Sequence, residues 1–154
     1  MKGHRATALM ASTALLLLSA CASTPSVDLD AAREWLDTVK AEESDGPGAA
    51  GIASMPIGRE PADDEGTRLD FAAPTQLVRA DARCFGGGTA DVAVIVFSAA
   101  GTESDTFDAE IACDEAAHGI DLDTGPASAV AIQAHGSAET YLHVTVIEEL
   151  VVER

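Results

Sequence analysis

From residue 78 to 84 apolar and charged side chains alternate: Val78, Ala80, Ala82 and Cys84 are interleaved with Arg79, Asp81 and Arg83. A helix repeats about every 3.6 residues and cannot gather such a run on one face, so the segment must be a strand with a buried side, and that side takes Cys84. The same period of two returns along the chain. Leu69 and Phe71 alternate with Arg68 and Asp70, and Phe107, Ala109, Ile111 and Cys113 alternate with Asp108 and Glu110. Ile120 and Leu122 alternate with Asp121 and Asp123, Val130, Ile132 and Ala134 follow Gly125-Pro126, and Leu142, Val144 and Val146 alternate with Tyr141, His143 and Thr145. The run Asp91-Val92-Ala93-Val94-Ile95-Val96-Phe97 is apolar on both faces, as a central strand requires. Seven short strands at this spacing, with no helix between them, predict a mainly β fold, an antiparallel sandwich over residues 67–154.

Upstream the period changes. Leu29, Ala32, Leu36 and Val39 recur at three- and four-residue intervals with Trp35 beside them, which predicts one amphipathic helix over residues 28–43, capped by Ser26 or Asp28. Such a helix either docks on the β domain through Trp35 or offers its apolar face to a partner. Residues 44–66 hold Gly46, Pro47, Gly48, Gly51, Pro56, Gly58, Pro61 and Gly66, with the acidic triplet Asp63-Asp64-Glu65. They read as a linker or long surface loop. Gly86-Gly87-Gly88 reads as a hairpin turn, since no helix follows it to hold a phosphate.

The amino terminus carries Lys2 and Arg5 ahead of a largely apolar run from Ala6 to Leu18. That run rises only about 20 Å as a helix, short of the ~30 Å hydrocarbon core, so it is a signal-type segment and not a lasting span. It ends in Leu18-Ser19-Ala20-Cys21. This stretch resembles the bacterial lipoprotein signal peptide with its lipobox. The resemblance implies that residues 1–20 are removed, that Cys21 takes lipid on its sulfur, and that residues 21–27 tether the body to the extracytoplasmic face of the cell membrane. More than one acyl chain makes such anchoring stable. Further on, Ala82-Arg83-Cys84-Phe85-Gly86-Gly87-Gly88-Thr89 before a Val-rich strand, and Ile111-Ala112-Cys113-Asp114, are similar to the small β-sandwich module of actinobacterial lipoproteins. An abundance of Ala and the absence of Asn agree with a GC-rich source. That likeness implies fold and location and supplies no active residues.

Charge and cysteine count then narrow the function classes. The 154 residues carry 9 Lys and Arg against 26 Asp and Glu, a net charge of -17. Removal of residues 1–20 would take Lys2 and Arg5 and no acid, leaving -19. Phosphate backbones call for clustered Lys and Arg, which argues against nucleic acid as a partner. Anionic headgroups repel such a body, so contact with the membrane falls to the lipid alone. Setting Cys21 aside leaves Cys84 and Cys113, an even pair in an exported chain, expected to form a disulfide.

Candidate chemistry is sparse. Asp121-Leu122-Asp123-Thr124-Gly125 has the carboxylate spacing of the start of a calcium loop, yet the twelfth position is Ile132 where a Glu is required, so no metal is expected. His118, His135 and His143 read as surface histidines, with His143 outward on its strand. No Gly-x-Ser-x-Gly elbow is present, so no catalytic residue and no cofactor are expected. Phe71, Phe97 and Phe107 are expected inward, which leaves Phe85 and Tyr141 as candidate contacts for a ligand. The expectation is a non-catalytic structural or protein-interaction module of the cell envelope; the alternative is a module binding an envelope glycan or small solute.

Overall fold

The computed structural model describes residues 26–43, 48–61 and 66–150. The expected signal segment, Cys21 and most of the expected tether, together with the acidic triplet 63–65, lie outside the described residues. One helix, α1 (Leu29–Glu43), precedes eight strands: β1 (Ala49–Ile57), β2 (Thr67–Thr75), β3 (Leu77–Cys84), β4 (Thr89–Ser98), β5 (Ser104–Ala112), β6 (His118–Asp121), β7 (Ala127–Gly136) and β8 (Thr140–Glu148). They form two antiparallel four-stranded sheets, β1-β8-β3-β6 and β2-β7-β4-β5, the sandwich that the alternation predicts. β4 lies inside its sheet, between β7 and β5, with Val92, Val94 and Val96 buried inward and Ala93, Ile95 and Phe97 half-buried on the outer face.

The core is made where the two inner faces meet. Ala80, Ala82, Cys84, Leu142, Val144 and Val146 of the first sheet meet Val92, Val94, Val96, Val130 and Ile132 of the second. The Cys84–Cys113 disulfide is present, with S–S 2.03 Å. Both cysteines are buried, and the bond joins the end of β3 in the first sheet to the residue after β5 in the second.

Four expectations are corrected. The stretch 44–66 is not wholly linker, because β1 occupies residues 49–57 and turns Ala53 and Ile57 into the core. Its Ala, Gly, Ser and Pro disguise it, and Pro56 is tolerated because β1 is an edge strand. Val78 is exposed and Leu77 fully buried in its place, because a register shift between Leu77 and Arg79 moves the alternation by one residue. Gly86–Gly88 is not a hairpin turn: β3 and β4 belong to different sheets, so the three glycines make an arch between them. All three have positive φ, and a Cβ on Gly86 would stand 2.6 Å from Cγ1 of Val27, which packs there just before α1.

Phe97 is the fourth. It faces out of the second sheet, opposite Ala129 and Ser104, and the Arg68 guanidinium lies 4.3 Å from its ring centroid. Arg68 is on β2 and Phe97 on β4, so the guanidinium crosses β7. Small side chains at Ala129 and Ala131 let it do so, and both are buried beneath it and its neighbours.

Candidate functional site

Helix α1 begins at Asp28, whose Oδ1 accepts the amides of Asp30 and Ala31 at 3.1 Å each, an N-cap. Its stripe of Ala32, Leu36 and Val39 is buried on the outer face of the first sheet, chiefly over β8. Trp35 meets Phe85 with ring centroids 5.7 Å apart and planes tilted by 41°. Arg33 donates to the Tyr141 hydroxyl at 3.0 Å and lies 5.9 Å from the centre of its ring. The helix is therefore docked on the sandwich, and the two aromatics singled out as ligand platforms instead carry α1.

Docking buries polar residues. Ser54, His143 and Thr145 stand on the outer face of the first sheet, Ser54 opposite His143 across the β1–β8 pairing, with Arg83 of β3 opposite His143 on its other side. His143 points outward on its strand as expected, but it is not a surface histidine: its exposure is 0% because α1 lies over it. Glu43, the last residue of α1, reaches into this group. Its Oε1 takes an ion pair from Arg83 at 2.7 Å, and its Oε2 accepts from the Thr145 hydroxyl at 2.6 Å and from His143 Nε2 at 3.1 Å. A carboxylate offers only lone pairs, so Nε2 bears the ring proton. Nδ1 is then an acceptor, and the Ser54 hydroxyl donates to it at 2.8 Å. Burial holds the His143 imidazolium pKa below the ordinary histidine value, against the pull of Glu43 in the other direction.

The order Ser54, His143, Glu43 is that of nucleophile, base and orienting acid. With α1 docked, however, the imidazole is sealed between helix and sheet, and its bonds act as a clasp. A carboxylate at the end of a helix opposes the macrodipole, so Glu43 gains its stabilising partners from the sheet and not from its own helix. Arg83 Nε is buried with no hydrogen-bond partner among the described residues, so the ion pair to Glu43 rests on the Nη2 end of the guanidinium. Reading the sequence missed Glu43, Arg83, Ser54 and Thr145. The one signal was an acid at the dipole-disfavoured end of the helix.

The remaining candidates stay apart. His118 Nε2 is 2.8 Å from Asp114 Oδ1, and that bond first, with the Ala116 amide, holds the Asp114 carboxyl below its usual range. His135 lies 3.2 Å from Asp91 on the outer face of the second sheet. Asp121 ends β6 and Asp123 is exposed beyond it. Among the described residues no three His, Cys, Asp or Glu side chains are grouped to hold a metal ion, and no helix is long and apolar enough to cross a membrane. No family model matches the chain, and no curated protein matches it as a relative.

Proposed function

We propose that this chain is an exported lipoprotein of the cell envelope whose sandwich is a non-catalytic protein-interaction module. The observation that carries the reading is Leu18-Ser19-Ala20-Cys21 behind a short apolar segment. The Cys84–Cys113 bond agrees with an oxidising, extracytoplasmic compartment, where such bonds form and persist. The body, at -19 once residues 1–20 are removed, needs the lipid to remain near an anionic surface. Interaction is preferred over glycan or solute binding because Phe85 and Tyr141 face α1 and are half-buried there.

The test is fractionation of Cys21→Ala beside the wild type. The wild type should partition with membranes and the variant should be released; continued membrane association of the variant would overturn the anchor. Crosslinking from the native envelope should then capture a protein. Recovery of glycan alone would overturn the interaction reading.

A further inference from the structure

A sheet edge offers unpaired backbone N–H and C=O groups, and proteins blunt such edges with proline, bulges or short strands. Three of the four edges here are blunted in these ways. β1 carries Pro56 and a register shift between Ala49 and Gly51. β2 carries Pro74 and loses register between Asp70 and Thr75. β6 is four residues long.

The fourth edge, β5, has no proline, bulge or shortening; its guard is charge alone, Asp105, Asp108 and Glu110, which repels an acidic strand and leaves the edge open to a cationic one. Its nine residues, SDTFDAEIA, contain no Pro or Gly and pair one-to-one with β4 from Thr89↔Ala112 to Phe97↔Ser104. Two bonds fix which way its backbone points: Ser98 N donates to the Glu103 carbonyl at 3.0 Å, and Cys113 N to the Gly88 carbonyl at 2.9 Å. Hydrogen-bonded positions alternate along an antiparallel pair, so residues 105, 107, 109 and 111 face β4. The N–H and C=O groups of Ser104, Thr106, Asp108, Glu110 and Ala112 consequently point off the sheet, and all five residues are exposed.

The side chains of those five lie on the outer face, where charge selects the partner. Asp108 and Glu110 stand there with Asp91 directly opposite Glu110, a like-charge cross-strand pair that disfavours itself. Resting on the interaction reading above, we infer that β5 is a docking strand: an extended segment of a partner protein, with Lys or Arg at alternate positions, adds antiparallel to it as a fifth strand of the second sheet. Backbone pairing supplies the affinity, and cations opposite Asp108 and Glu110 supply the choice of partner. A second copy of this chain is disfavoured, since antiparallel pairing of two β5 strands brings these acids against each other.

The experiment uses the full chain in detergent and a labelled decapeptide alternating Lys and Val, read by fluorescence anisotropy. In the inferred geometry each Lys opposite an acid belongs to a hydrogen-bonded pair, so its amide faces β5 while the Val amides face away. Methylating the Lys amides should abolish binding, and methylating the Val amides should leave it near the unmodified value. Thr106→Pro removes an N–H that points off the sheet and no bond to β4, and should weaken binding by about tenfold or more. Glu110→Lys, which leaves Asp108 and Asp91 in place, should weaken the preference for the Lys/Val peptide over a Glu/Val peptide.

Equal binding of the two methylated peptides would overturn the inference, since it would mean that attraction between charges suffices. So would a dimer at neutral pH that the peptide dissociates. Should Thr106→Pro lose its β signal in circular dichroism, the two methylated peptides decide alone. If crosslinking from the envelope finds a protein at residues away from β5, the docking strand fails while the interaction reading stands.

Discussion

The two sheets have the same inner chemistry and opposite outer fates. The outer face of the first sheet, with Tyr141, His143, Thr145 and Arg83, lies under α1, where Arg33 binds Tyr141 and Glu43 binds the other three. The outer face of the second sheet carries Arg68, Asp70, Asp91, Asp108 and Glu110 to the solvent, with Arg68 over Phe97 and His135 beside Asp91 among the contacts across it. Strand alternation assigns a side chain to a face; a third layer then decides whether that face is wet. Covering a polar face is stable only when most of its donors and acceptors find partners; here Glu43 takes Arg83, His143 and Thr145, Ser54 donates to His143 and Arg33 to Tyr141, and Arg83 Nε alone among the described buried side-chain atoms is left without one.

The contrast can be broken most severely at the bond that joins the sheets. Replacing both Cys84 and Cys113 by Ser should lower stability by about 3–4 kcal/mol, read as a fall in the urea midpoint. An unchanged midpoint would mean that packing alone holds the sheets together. Next comes the covered face: Leu36→Ala should cost about 2–4 kcal/mol and should raise amide exchange in α1 before that in β4. Exchange rising equally in both would show that helix and sandwich unfold as one unit.

Smaller effects test the clasp and then the open face. Glu43→Ala leaves Arg83, Thr145 and the His143 N–H without their acceptor and should cost about 1–3 kcal/mol, partly restored in Glu43→Gln. The clasp also sets a pH dependence. With the folded pKa of His143 below its unfolded value of about 6.5, its contribution is complete above that pH and declines as pH falls toward the folded value, because the unfolded state then binds the extra proton. Stability measured from pH 7 to 5 should therefore fall more steeply in the wild type than in His143→Gln; parallel curves would remove His143 as the cause. On the open face Arg68→Ala should cost less, about 0.5–1 kcal/mol for the lost contact with Phe97.

Much of the sandwich could be read directly from alternation, because residues such as Ala80, Ala82, Cys84, Leu142, Val144 and Val146 have one dry side and one polar side. The inward direction of both cysteines was legible for the same reason. Phe97 was not, since a strand that is apolar on both faces leaves no pattern from which to choose a side. β1 was hidden by small residues and a proline that only an edge position permits. The clasp was the least legible feature. Ser54, Arg83, His143 and Thr145 look like ordinary outward residues, and nothing local to the last three announces a carboxylate that arrives from 40 (Arg83 to Glu43, 83 − 43) to 102 positions away.

The seat of Val27 on Gly86 has a consequence for how the molecule is held. In the proposed lipoprotein five peptide units separate Cys21 from Ser26, a reach of at most about 18 Å when fully extended. The glycine arch that joins β3 to β4, and with it the end of the sandwich bearing the Cys84–Cys113 bond, would thus be kept at the membrane-facing pole. The opposite pole, with the β4–β5 turn at residues 99–103, would point into the periplasm or wall space, where an arriving chain meets the Ser104 end of β5 first.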